Sequence, residues 1–212
     1  MPLFANGSGA EPERVYVALS GDDGNSGLEN APLRTLTEAV YRVREGGEVI
    51  ILEAGTYEPP SRRGPRINNE RYLTIRSSDS LDREDVILAF ASREMARPEI
   101  LRLKIHGLTF DYGFVNQLYQ LDKYTWLDDV LLTDSRTWTP TTGGKNNQPI
   151  RGNFAATNSR AEDILYGFIA GDLVRNTEYY KISGDVVQNS GLVINASIDR
   201  VETKSTVSGP SA

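Results

Sequence analysis

The chain has 212 residues, of which 39% are hydrophobic and 25% charged, with a formal net charge of −6. Those are the proportions of one globular domain with a single core. The acidic balance excludes a nucleic-acid partner, which needs a basic face to neutralise phosphates. The lack of cysteine excludes disulfides and thiolate metal sites, and a single histidine, His106, excludes a multi-histidine centre.

Residues 1–14 form an N-terminal arm. It lacks the apolar stretch behind a basic segment that marks a secretory signal, so the chain is expected either to act from the cytoplasm or to be written without its signal. No run of about 18 apolar residues occurs, and no membrane span is expected. A strand, VYVAL, follows at 15–19, and then the turn SGDDGNSGLENAP. Asp22, Asp23 and Asn25 in that turn fall outside the EF-hand spacing, and a solvated turn is the expectation rather than a calcium loop.

Thr35 and Glu38 fit the capping box T-x-x-E. Leu36, Ala39, Val40 and Val43 fall on one helical stripe, and Gly46 suits a left-handed C-cap, so the pattern predicts a helix over 35–45. A buried strand, EVIIL, is predicted at 48–52. Residues 15–57 thus read as strand, helix and first coil.

Beyond Leu52 the chain offers short β runs at a recurring interval. Val86, Leu108 and Val130 are 22 residues apart; Ile164 follows after 34, and Val186 after a further 22. Asp85, Asp129, Asp163 and Asp185 open four of these runs, with Gly107 in the fifth. A second ladder of alternating apolar residues runs beside it: Leu73 and Ile75; Leu101, Leu103 and Ile105; Tyr124 and Trp126. A period of this length marks a solenoid, and short strands with polar corners make it a β-solenoid. About six or seven coils fit between 47 and 201. The long interval reads as a coil with an inserted loop around 135–154, rich in Thr, Pro, Gly and Asn. Coils fill 58–202, and 203–212 is a polar tail or linker that leaves the last coil uncovered by any segment of this chain.

The opening, VYVALSGDDGNSG…APLRTLTEAV…GGEVIILEAGTY, resembles that of parallel β-helix proteins of the pectate-lyase-like superfamily. The likeness is close over 15–57 and rests on period beyond it. It implies an all-β, right-handed parallel β-helix with an N-terminal capping helix. That helix would lie across the end of the stack, turning Leu36, Ala39, Val40 and Val43 to the first coil. The superfamily includes lyases, hydrolases, epimerases and phage tailspikes, so the resemblance implies no single activity.

Stacked carboxylates at Asp129, Asp163 and Asp185 would sit about 4.8 Å apart and would repel unless they splayed into water, shared protons or held a cation. Lyases of this fold hold calcium with such carboxylates, so these three are the candidate metal ligands; the competing role is turn capping. Lys145, Arg151, Asp163 and Asp185 are the catalytic candidates, with Arg175 and Lys181 as further cations on later coils; each also reads as a surface charge. His106 reads as a structural residue at a strand end. Trp138, Tyr112 and Tyr124, with Tyr119, are candidates for stacking on sugar rings, whereas Trp126 is expected in the core and Tyr179 and Tyr180 on opposite faces. The expected function is a virion-associated structural module of phage tail-fibre or tailspike type. It would self-associate as a trimer or join other virion proteins, with a polysaccharide as its possible ligand. The alternative is a secreted polysaccharide lyase acting on uronate polymers by calcium-assisted β-elimination. No other cofactor is expected.

Overall fold

The structure, a computed structural model, describes residues 13–60, 71–89, 102–111, 120–133, 150–162, 168–170, 173–175, 178–180, 192–194 and 197–198. Strand β1 (Arg14–Val17) alternates, burying Val15 and Val17. The turn after it is built from its own acids. Asp22 Oδ1 accepts the Gly24 N–H at 2.7 Å. Asp23 accepts the backbone N–H groups of Arg34 and Thr35 and the Thr35 hydroxyl. These carboxylates therefore serve as turn and cap acceptors.

Helix α1 (Leu36–Arg42) is shorter than the predicted 35–45. Thr35 is its N-cap, and the Glu38 N–H donates to the Thr35 hydroxyl at 3.1 Å. The reciprocal half of the capping box is not made, because Asp23 already takes the Thr35 N–H. Glu38 turns instead to Arg42, 2.7 Å away, and the Arg42 guanidinium also donates to the carbonyls of Asp23 and Asn25. The helix stops at Val43, whose extended backbone (ψ 137°) delivers a buried side chain to the core. Gly46, at φ 77°, then makes the turn that its freedom from a Cβ allows.

Leu36, Ala39 and Val40 of α1 share one core cluster with Val15, Val17, Val49 and Ile51. The outer backbone edge of β1 is occupied by a different segment. Tyr16 N–H donates to the Gly27 carbonyl, and Leu33 N–H donates to the Tyr16 carbonyl; Ala18 N–H donates to the Leu33 carbonyl. The loop from Gly27 to Leu33 thus satisfies an edge that would otherwise recruit another strand.

Thirteen further strands follow: β2 (Glu48–Ile51), β3 (Gly55–Tyr57), β4 (Leu73–Ser77), β5 (Val86–Ala89), β6 (Leu103–Asp111), β7 (Gln120–Thr133), β8 (Ile150–Thr157), β9 (Arg160–Glu162), β10 (Phe168–Ala170), β11 (Leu173–Arg175), β12 (Glu178–Tyr180), β13 (Leu192–Ile194) and β14 (Ser197–Ile198). All the pairings among these named strands are parallel. One ladder runs β1-β2-β4-β6-β7-β8-β11-β13. A second runs β3-β5-β6-β7-β9-β12-β14. The beginnings of β7 and β10 flank the beginning of β8 in a short third ladder. Each strand pairs with its counterpart one coil later, which is the pattern of a parallel β-helix.

The core is a set of stacked columns. Val15, Val49, Ile75, Ile105, Leu127 and Ala156 are successive register partners on the first ladder, and all are buried. Tyr57, Leu88, Phe110, Leu132 and Ala161 form the same arrangement on the second. By register Tyr179 continues this second column, and Tyr180 stands beside Glu162.

Strands β6 and β7 belong to both ladders because each bends at a single residue. Gly107 has φ 65° and Asp129 φ 53°. Asn158, between β8 and β9, has φ 52°. The flanking pairs His106–Asp128 and Leu108–Val130 put Gly107 level with Asp129, and Asp128–Thr157 puts Asn158 next. The corner is therefore a column of left-handed residues, a conformation reserved largely for Gly, Asn and Asp.

This column revises the predicted repeat. Leu108 does lie over Val130. Leu131 pairs with Arg160, however, so Val130 meets Ser159 and not Ile164, and the interval there is 29 residues rather than 34. Asn158, not Asp163, follows Asp129. Residues 150–154, predicted inside the inserted loop, begin β8.

Candidate functional site

On the first ladder, Thr74, Lys104, Trp126 and Ala155 are successive partners, and Arg76, His106, Asp128, Thr157 and Arg175 form the neighbouring column. They alternate with the buried residues Ile75, Ile105, Leu127 and Ala156, so pleating sends them to the outer face. Four of them converge on β6 and β7.

Asp128 is the hub. Its Oδ2 is 2.9 Å from Lys104 Nζ and 3.3 Å from His106 Nδ1. Its Oδ1 accepts from the Thr157 hydroxyl at 2.8 Å and the Asn158 amide at 3.0 Å. Only 14% of the Asp128 side chain is exposed. Burial alone would push its carboxyl up; the hydrogen bonds from Lys104, Thr157 and Asn158 outweigh that and hold its pKa below the ordinary value. It is an ionised carboxylate with four donors.

The aromatic side of the cluster is equally ordered. Trp126 Nε1–H donates to the Thr157 hydroxyl at 2.8 Å. Lys104 Nζ stands 4.2 Å from the centroid of the Trp126 ring, a cation–π contact. Tyr72, just before β4, meets Trp126 edge-on with centroids 6.1 Å apart. Tyr72 is 38% exposed and is, with Leu28, one of two exposed large hydrophobic residues among the described residues. A sheltered cation, a fixed indole and an exposed phenol thus share one patch.

His106 completes it. Its Nδ1 lies 3.1 Å from the Asp128 backbone carbonyl as well as near the Asp128 carboxylate. A carbonyl oxygen only accepts, so Nδ1 carries the proton. Of the His106 side chain, 41% is exposed.

The sequence candidates fare unevenly. Asp129 is at the corner, 48% exposed in its side chain and 3.3 Å from Arg83. Arg83 also binds Glu84 at 2.8 Å, and this hydrogen bond lowers the Glu84 pKa. Arg151 stands on β8 between Gln120 and Ile169. Tyr124 lies on β7 where the register with β8 jumps between Leu121 and Thr125. Arg175 is exposed, one coil beyond Thr157. Tyr112, Tyr119, Trp138, Lys145, Asp163, Lys181 and Asp185 lie outside the described residues.

One reading is corrected. Trp126 is not in the core: Thr125 and Leu127 take the register positions facing Leu103 and Ile105, which turns Trp126 outward. His106, read as structural, joins the polar cluster around Asp128 on the outer face. Of the three predicted calcium ligands only Asp129 is among the described residues, where no group of three His, Cys, Asp or Glu residues comes together. Lys104 and Tyr72 were not singled out in the sequence. The alternation in LRLKIHG, with Lys104 and His106 both opposite to Leu103 and Ile105, was the available signal.

Residues 19–63 match a family described as "Protein of unknown function (DUF1565)". No curated protein matches the chain. A solved structure of a rhamnogalacturonan lyase aligns with 86% of this chain at 13% identity and a TM-score of 0.45, and the chain spans 56% of that protein's length.

Proposed function

We propose that the protein binds an anionic, uronate-bearing polysaccharide across the outer face of β4, β6, β7 and β8, and belongs in kind with proteins that act on such polymers. The observation that carries this reading is the cluster of Tyr72, Lys104, His106 and Trp126 around Asp128. A sugar ring stacks its apolar face on an aromatic, and Tyr72 offers an exposed one. A uronate adds a carboxylate, and Lys104 offers an ammonium already fixed by Asp128 and Trp126, so little side-chain freedom is lost on binding. Of its three donors, one serves Asp128, which leaves N–H groups for a ligand. Parallel coils about 4.8 Å apart give the long flat surface a polymer needs.

The right-handed winding and the role of α1 as a lid belong to the same proposal. The burial of Leu36, Ala39 and Val40 against β1 and β2 supports the lid. The virion-module reading draws no support of its own from this fold.

The test is affinity electrophoresis in gels carrying polygalacturonate, alginate or neutral dextran, with EDTA added in parallel to probe calcium. Both uronate polymers are expected to retard the protein and dextran is not. Tyr72→Ala should weaken retardation by about tenfold, the order of one aromatic contact with its area. Equal mobility in all gels, or equal retardation by dextran, would remove this reading.

A further inference from the structure

We infer that His106 is the proton-transferring residue of this site, with Asp128 as its positioning residue. The inference deepens the uronate reading and rests on it.

The geometry assigns the proton. Nδ1–H faces two acceptors on one residue, the backbone carbonyl and the carboxylate of Asp128. When the ring is neutral the lone pair is therefore on Nε2, which has no partner among the described residues. A carboxylate that fixes the tautomer and faces the imidazolium that forms is the arrangement by which histidine serves as a general base. The carboxylate is itself immobilised, since Thr157 and Asn158 hold its other oxygen. Lys104 lies on the same strand two residues before His106 and approaches the same Asp128 oxygen. A carboxylate-bearing carbon held at Lys104 would lie beside the imidazole.

The step is a β-elimination. Nε2 takes the proton from the carbon that bears the uronate carboxylate. The electron pair of that C–H bond becomes a carbon–carbon double bond to the neighbouring ring carbon. The bond from that carbon to the glycosidic oxygen breaks, and the oxygen leaves with the electron pair and is protonated by water or by the imidazolium. Lys104 stabilises the negative charge that builds on the carboxylate during proton removal. No oxidant, reductant or further reactant is needed. Among the described residues, the charged or titratable groups beside His106 in register or on its own strand are Arg76 on β4, Lys104 on β6 and Asp128 on β7.

The experiment incubates the full chain with polygalacturonate or alginate and follows the ultraviolet absorbance of the unsaturated product, with retardation in the same polymers measured alongside. The wild-type protein is expected to cleave at least one of them. His106→Ala should lose about a hundredfold or more, remain folded by circular dichroism, and regain part of the rate with free imidazole. Asp128→Asn should change the pH profile as well as the rate. Binding without cleavage by the wild type overturns the inference and leaves the binding reading standing. So does a His106→Ala protein that cleaves at the wild-type rate, or a loss that imidazole does not restore. If the wild type neither binds nor cleaves, both readings fall.

Discussion

Replacing Lys104 by Met and Asp128 by Asn, singly and together, isolates the pair that organises the outer face. The two groups are 2.9 Å apart, with 22% and 14% of their side chains exposed. Open surface pairs contribute about 0.2–1 kcal/mol, whereas hydrogen bonds to charged groups contribute about 1.5–3 kcal/mol when sheltered. This pair lies between, so a coupling of about 1–2 kcal/mol is expected. Lys104→Met keeps the aliphatic stem over Trp126 and leaves Asp128 its three other donors, so it should cost about 1 kcal/mol. Asp128→Asn places an amide N–H₂ or a neutral oxygen opposite Lys104 and the His106 Nδ1–H, and should cost about 2 kcal/mol. For a chain of this length each kcal/mol corresponds to about 2–4 °C in melting temperature. Thermal unfolding followed by circular dichroism gives the cycle. The Asp128 carboxyl is held below its ordinary pKa, so its contribution is complete above the ordinary carboxylate range and is lost as pH falls through the folded value. The coupling should therefore vanish in acid. Single effects that add at neutral pH within about 0.5 kcal/mol would refute the shared hub.

Two further outcomes follow from groups elsewhere. Burial, and then the Glu53 carboxylate, raise the Tyr57 pKa to about 12, above the ordinary 10.0. Between these values the unfolded chain has released the proton that the folded one keeps, so stability falls as pH rises through that window; Tyr57→Phe should flatten this alkaline limb in melting curves, and an unchanged limb would refute the assignment. Gly107→Ala forces a Cβ into the left-handed corner at φ 65°, 3.0 Å from the Ser77 hydroxyl oxygen, and should cost about 1–2 kcal/mol; urea unfolding that shows no change would mean the corner is not required.

Much of the architecture was legible because the elements that set it are local. Turn, cap, stripe and strand between Val15 and Tyr57 each follow their own chemistry, and the spacing of 22 residues carried the register correctly from Leu108 to Val130. The register then failed at Ser159 because an aspartate before an apolar residue is not what defines a coil. What defines it is a residue able to take positive φ, and Gly107, Asp129 and Asn158 satisfy that requirement with three different letters. The site was harder to read. A slip of one residue along a strand exchanges its two faces, and reading Tyr124 and Trp126 as the inward pair hid Trp126 in the core. The cluster itself joins residues 31 positions apart, Trp126 and Thr157, and only the stacking of coils brings them together.

With the loop from Gly27 to Leu33 closing one side of β1, the stack has a polarity. On that ladder new strands join on the downstream side, where each finished turn offers its open backbone as the template for the next. During synthesis this turn emerges before the coils it templates, with its β1 edge already covered, and winding can proceed in step with translation like a thread taken up on a spool with one fixed end.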